Sequence, residues 1–283
     1  MPARQLVSVD ELVEELASPT PPSVLDVRWR LGGPPGRDEY VAGHIPSASY
    51  VDLDRALAGP VRDDRVGGRH PLPDPQRFGA AMRAAGVSPR RPVVVYDDSG
   101  GMSAARAWWL LVHHGHVDVR LLDGGLAAWR AAGRTLEKGP GDPPPGDWTP
   151  QEPGRLPVLD AEGAAALAQD GGLLDARAPE RYRGEVEPVD PVAGHVPGAR
   201  SAPGTGWVGT DGLLLPPEEI RRRVTELGVS LDEPLGAYCG SGVVASLSVL
   251  ALATAGLEAA LYAGSWSDWV SDPARPVATG EQP

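Results

Sequence analysis

Short apolar runs alternate along this chain with longer segments whose apolar positions recur every three to four residues, and the whole alternation occurs twice. In the first half, Leu12 and Leu16 mark one face of a helix that Ser8 caps, with Glu11 three residues on completing a capping box. Residues 24–27, 93–96 and 119–122 read as strands. Residues 76–85, 103–113 and 126–132 read as helices that end at or near Gly86, Gly115 and Gly133. The second half repeats this with strands at 173–176, 235–238 and 259–262 and helices at 162–169, 218–227, 243–255 and 265–270. Strands that alternate with helices imply an α/β fold in each half, a mainly parallel sheet covered by helices on both faces.

The two halves share more than rhythm. Asp26-Val27-Arg28 returns as Asp175-Ala176-Arg177, and Val41-Ala42-Gly43-His44-Ile45-Pro46-Ser47-Ala48 returns as Val192-Ala193-Gly194-His195-Val196-Pro197-Gly198-Ala199. Leu122-Asp123-Gly124-Gly125-Leu126-Ala127-Ala128-Trp129 matches Tyr262-Ala263-Gly264-Ser265-Trp266-Ser267-Asp268-Trp269. Marks recurring in one order at near-constant spacing identify a duplicated domain. The expected division is a first domain at 1–137, an exposed Pro/Gly-rich linker at 138–155 centred on Pro143-Pro144-Pro145, and a second domain at 156–283.

Composition narrows the function classes. Against 38 acidic residues stand 26 basic ones, a net charge of −12, which argues against a nucleic-acid or anionic-membrane surface and requires a local basic pocket for any anionic ligand. Four acidic residues between Ser8 and Ala17 oppose a signal peptide, and the longest apolar stretch, Val243 to Leu252, is too short to span a bilayer. The one cysteine forms no internal disulfide, as expected for a reducing cytoplasm. The tryptophans at 108, 109, 266 and 269 have helical spacing and apolar neighbours, which reads as core packing rather than a stacking surface.

That cysteine, Cys239, directly follows a strand pattern and opens the run Cys239-Gly240-Ser241-Gly242-Val243-Val244 before a helix. Parallel sheets bind ligands beyond the carboxyl ends of their strands, and a helix N-terminus favours a thiolate. Gly240 and Gly242 let the loop turn tightly so that backbone N–H groups face the sulfur. In the first half Asp97 holds the equivalent place. Cysteine in such a loop serves phosphate-ester cleavage or sulfur transfer; the first chemistry needs an arginine six residues on, where Ala245 stands.

The duplication, the Gly-His-Ile/Val-Pro element, the Tyr262–Trp269 element and the lone second-half cysteine together resemble the tandem-domain sulfurtransferases of the rhodanese superfamily. Cys239-Gly240-Ser241-Gly242-Val243 is similar to the loop of the 3-mercaptopyruvate branch, with Val244 in place of that branch's threonine. The resemblance implies that the Cys239 thiolate takes sulfur from a small anionic donor as a persulfide and passes it to a thiol acceptor, a reduced thioredoxin or cyanide, with no metal or organic cofactor. It implies a catalytic Ser241, for which helix capping is the competing role, and a His44 near the cleft, for which a turn-fixing role shared with His195 is the alternative. Arg181 matches the substrate arginine; the second arginine of the pattern falls on Val189, leaving Arg183 as a candidate replacement. The rival readings are a thiosulfate:cyanide sulfurtransferase and, from a different class, a non-catalytic tandem module that binds a partner or carries sulfur.

Overall fold

The computed structural model describes residues 4–141 and 143–283, which form two compact units. The first contains the chain up to Gly59, Pro73–Arg155 and Thr210–Leu214; the second contains Pro60–Leu72, Leu156–Gly209 and Leu215–Pro283. Each half of the sequence therefore lends a short segment to the unit built mainly by the other. This departs from a division at 137/138 and 155/156, because the loaned segments have no mark that distinguishes them from ordinary loops.

In the first unit the strands are β1 (Leu6–Val7), β2 (Ser23–Asp26), β3 (Ser49–Tyr50), β4 (Val93–Tyr96) and β5 (Val119–Leu122), in the order β1-β5-β4-β2-β3. The second unit has β6 (Val158–Leu159), β7 (Leu173–Asp175), β8 (Arg200–Ser201), β9 (Leu235–Tyr238) and β10 (Ala259–Tyr262), in the order β6-β10-β9-β7-β8. Every pairing between these strands is parallel. The central strands β4 and β9 are buried along their whole length, which is why both read as continuous apolar runs rather than alternating ones.

Helices surround each sheet: α1 (Val9–Leu16), α2 (Gly36–Ala42), α3 (Leu53–Ala56), α4 (Pro75–Ala84), α5 (Ala104–His113) and α6 (Gly125–Ala131), then α7 (Ala161–Gln169), α8 (Pro179–Tyr182), α9 (Pro217–Glu226), α10 (Ala245–Thr254) and α11 (Ser265–Trp269). The capping box of α1 forms as its sequence dictates, Ser8 Oγ accepting the Glu11 N–H and the Glu11 carboxylate accepting the Ser8 N–H. The four tryptophans with helical spacing are all buried. Tyr40, Tyr96 and Trp129 help fill one core, and Tyr238, Tyr262, Trp266 and Trp269 the other.

The Pro/Gly-rich stretch is exposed along most of its described length, and it runs along the first unit. Trp148 is its buried exception: the ring packs edge-on to Phe78 at 5.7 Å and the backbone N–H donates to Val87 O, while Gln151 N–H donates to His114 O. One aromatic side chain amid the prolines thus anchors an otherwise solvent-facing segment to the core.

Candidate active site

Cys239 follows the last residue of β9, the middle strand of its sheet, so its loop stands at the carboxyl edge of the second unit. The thiol is only 3% exposed, and Sγ accepts the Gly242 N–H at 3.2 Å. Gly242 has φ +76°, and a Cβ there would stand 2.3 Å from Ala263 O, so both its handedness and its packing require glycine. Val243 is buried and Val244 half-buried, and Val244 Cγ1 packs onto Gly204, where an added Cβ would meet it at 2.4 Å. The valine that replaces threonine thus fills space against a neighbouring turn.

The segment entering α11 holds this loop from the other side. Ser265 Oγ accepts the Cys239 N–H at 3.0 Å and donates to Tyr262 O, while Trp266 N–H and Ser267 N–H donate to Cys239 O and Gly240 O. Ser265 takes φ +55°; the matching residue of the first unit, Gly125, takes +54°. A serine accepts the left-handed conformation here while its hydroxyl orients the cysteine backbone.

The loaned segment Pro60–Leu72 completes the arrangement. Gly67 N–H donates to Asp268 Oδ1 at 2.7 Å, Arg69 N–H donates to Ser267 Oγ at 3.0 Å, and Gly68 lies so close to Gly264 O that a Cβ would clash at 2.3 Å. These contacts set His70 Nδ1 2.7 Å from Ser241 Oγ. Both side chains are buried. A hydroxyl in hydrogen-bond contact with an imidazole can exchange a proton with it, and the tautomer decides which of the two donates.

Arg181 Nε and Nη2 fork onto the Glu187 carboxylate at 3.1 and 2.6 Å, and Nη2 also reaches Asp190 at 3.4 Å. Burial pushes the Glu187 carboxyl up, but the Arg181 fork and the N–H groups of Asp190 and Val189 outweigh it and hold the group below the usual range. Arg183 turns to Glu185 at the surface, so it does not fill the place that Val189 leaves.

The first unit supplies an internal comparison. Where Cys239 stands in one copy, Asp97 stands in the other, fully buried, and its carboxylate accepts the N–H groups of Ser99, Gly101, Ser103 and Ala104 and the Ser103 hydroxyl at 2.8–2.9 Å. The strand-to-helix turn is therefore an anion cradle in this fold; one copy fills it with its own carboxylate, the other places a thiol there.

His44 is placed in the first unit as His195 is in the second. Its ring stacks on Tyr40 at 3.9 Å with Nδ1 2.8 Å from Tyr40 O; His195 stacks on Tyr182 at 3.7 Å with Nδ1 2.8 Å from Tyr182 O. The two copies thus place this residue in the same way, which is the turn-fixing arrangement weighed for His44 and His195. The histidine beside the reactive loop is His70, which the sequence reading missed. Gly67-Gly68-Arg69-His70-Pro71 has no counterpart in the second half, and that failure to repeat was the available signal. Ser265 was missed too, although it replaces a glycine of the other copy.

Comparison with known proteins agrees with this geometry. The rhodanese-like domain family model matches residues 8–132 and 160–272. A Pseudomonas aeruginosa protein named "Probable 3-mercaptopyruvate sulfurtransferase" is 50% identical over 99% of this chain and 100% of its own length. The Mycobacterium tuberculosis protein SseB, whose name assigns it provisionally to thiosulfate sulfurtransfer, is 44% identical over 97% of each chain. The crystal structure of SseA from Escherichia coli, described as having the rhodanese fold and the mechanism of 3-mercaptopyruvate sulfurtransferases, superposes with a TM-score of 0.80 at 32% identity over 94% of this chain and 100% of that one. With the domain matched twice and relatives of this identity along its whole length, the chain belongs to the rhodanese family of sulfurtransferases.

Proposed function

We propose that this enzyme moves sulfur from 3-mercaptopyruvate through a persulfide on Cys239 to a thiol acceptor. The observation that carries the reading is the loop itself: Sγ accepts a backbone N–H two positions before the helix, and Ser241, in the same loop, is bonded to His70. In the first step the Cys239 thiolate attacks the donor sulfur, and the carbon–sulfur bond breaks with its electron pair passing to carbon as the enolate of pyruvate. The Ser241–His70 pair returns a proton to that enolate, leaving pyruvate and Cys239–S–SH. An acceptor thiolate then attacks the outer sulfur and Cys239 leaves as thiolate. Backbone N–H groups fixed before reaction stabilise the sulfur anion without reorganising.

A cytoplasmic setting with a dithiol reductant of the thioredoxin class as acceptor is the environment we assign, in keeping with the lone reduced cysteine. Among the described residues no helix is long and apolar enough to cross a membrane. Intact-mass measurement after donor treatment tests the mechanism: one added sulfur is expected on the wild type and none on Cys239→Ser, and an unmodified wild type under every donor overturns it. Rates with 3-mercaptopyruvate and thiosulfate side by side test the donor, and a clear preference for thiosulfate would reassign it, as the resemblance to SseB allows.

A further inference from the structure

The element that follows the last strand is shared by both copies, yet two of its positions differ in a way the fold does not require. Ser267 and Asp268 of α11 correspond to Ala127 and Ala128 of α6, in the copy that has no thiol. Ala127 is exposed and Ala128 half-buried, whereas Ser267 and Asp268 are both buried. Alanine therefore suffices to build this helix beside the sheet, and a hydroxyl and a carboxylate taken out of water are costly unless something answers them. The segment Pro60–Leu72 answers them. We propose that Asp268, assisted by Ser267, is a positioning residue for sulfur transfer: it seats the loaned segment so that His70 meets Ser241.

The two oxygens of Asp268 have separate tasks. Oδ2 accepts the Tyr262 hydroxyl and lies 3.5 Å from Arg275 Nη1, which also donates to the carbonyls of Asp268 and Trp269. The carboxylate is thereby fixed, and Oδ1 accepts the Gly67 N–H at 2.7 Å. Ser267 Oγ donates to Gly264 O at 3.2 Å and accepts the Arg69 N–H at 3.0 Å. Alternate N–H groups of the segment are thus gripped, and Gly68 between them is pressed so close that a Cβ would stand 2.3 Å from Gly264 O and 2.5 Å from Ser267 Oγ. His70 is the next residue after the second grip, with Nδ1 2.7 Å from Ser241 Oγ. The same helix holds the cysteine loop only through the N–H groups of Trp266 and Ser267, which alanine at 267 or 268 would keep. Side chains and backbone of one short element therefore do different work: the backbone sets the thiol loop, and the side chains set the histidine.

This role for Asp268 rests on the Ser241–His70 relay proposed above, so two readouts separate them in full-length variants matched by circular dichroism. Hydrogen exchange reads the seat directly: in Asp268→Ala, residues 60–72 should exchange roughly tenfold faster while 239–244 remain as in wild type. Unchanged exchange of 60–72 overturns the role whatever the relay does. Single-turnover release of pyruvate from saturating 3-mercaptopyruvate reads the consequence. Asp268→Ala should slow it roughly ten- to hundredfold, the range for a misplaced reacting group, yet add less than about twofold to His70→Asn, where no imidazole is left to place. Asp268→Asn keeps an acceptor for the Gly67 N–H and should stay within about threefold of wild type. Equal losses from Asp268→Ala in both backgrounds, or an Asp268→Asn as slow as Asp268→Ala, overturn the role; so does a loss under about twofold in Asp268→Ala beside a slow His70→Asn. A His70→Asn variant as fast as wild type sinks the relay, and pyruvate released by no variant sinks the donor; in either case the exchange result decides the seat by itself. Should Asp268→Ala not reach the wild-type spectrum, Ser267→Ala, which frees only the Arg69 N–H, carries the same comparison with an expected loss of about threefold.

Discussion

His70 Nδ1 and Ser241 Oγ stand 2.7 Å apart although 171 residues separate them in sequence. Of the two roles open to Ser241, the contact favours the proposed proton transfer over helix capping, since a hydroxyl that only capped α10 would bond the helix backbone, and α10 shows no side-chain cap at its start. It also ties reactivity to the segment Pro60–Leu72 keeping its place on the second unit.

Replacing either member should slow pyruvate release in a single-turnover experiment. Ser241→Ala and His70→Asn are each expected to lower the rate about 10²- to 10⁴-fold, the usual range for losing a positioned proton donor. Because the two act as a unit, the double variant should be little slower than the slower single. Additive losses would mean that they serve separate steps.

Gly242→Ala places a methyl group 2.3 Å from Ala263 O at φ +76°, so the turn must move. The backbone strain amounts to about 1–3 kcal/mol, and the shift carries the Gly242 N–H away from Sγ. A lowered Tm together with loss of the one-sulfur adduct is expected. Ser265→Gly should be milder, since Gly125 takes nearly the same φ in the other copy and the hydroxyl's two bonds, from Cys239 N–H and to Tyr262 O, are what is lost, about 1 kcal/mol each.

Asp97→Ala should destabilise the protein without touching the thiol. It removes the acceptor of four backbone N–H groups around a carboxylate that is buried throughout, while the Ser103 hydroxyl keeps Val27 O. Each orphaned buried donor costs about 1–3 kcal/mol, so a loss of about 3 kcal/mol or more is expected in urea unfolding. A midpoint equal to wild type would show that water fills the cradle at no cost.

Stability should also fall with acid in a way that His195 helps set. Burial disfavours its imidazolium and holds its pKa below the ordinary value, against the opposing pull of Tyr182 O, which favours the charged form. The unfolded chain therefore takes up the proton first. The stabilisation from neutral His195 is complete above its unfolded pKa of about 6.5 and is lost as pH falls through its lower folded value. Between pH 7.5 and 5.5 the unfolding free energy of wild type, read from urea titrations, should drop more steeply than that of His195→Asn, by up to about 1.4 kcal/mol per pH unit for the one proton. His114 and His116 have the same sign, also through burial, and remain in both proteins, so the difference isolates His195. Parallel profiles would show that His195 does not contribute.

How far the site could be read without coordinates differs from residue to residue. Cys239, Gly240 and Gly242 were legible because strand, glycine turn and helix are local patterns, and short-range sterics decide them. Arg181 was legible as part of a motif, but not its tether to Glu187 and Asp190, since a charged side chain several carbons long can point many ways. The stacking of His44 on Tyr40 was not legible, because motif position does not reveal which surface a ring faces. The exposure of the Pro/Gly-rich stretch follows its composition, but the anchoring of Trp148 in the core does not, because composition does not say which core a single aromatic ring will enter.

The sequence by itself determined that a domain is written twice, that each copy alternates strands with helices around a parallel sheet, and that only one copy carries a thiol at its central strand end. Those properties follow from periodicity and repetition, which are local. Tertiary structure alone decided which histidine meets Ser241, because His70 belongs to a first-half segment that packs within the second unit. Nothing in a loop's own composition says which core it will cover: the contacts that hold Gly67, Gly68 and Arg69 to Gly264, Ser267 and Asp268 join residues about two hundred positions apart, and exist only once the fold has formed.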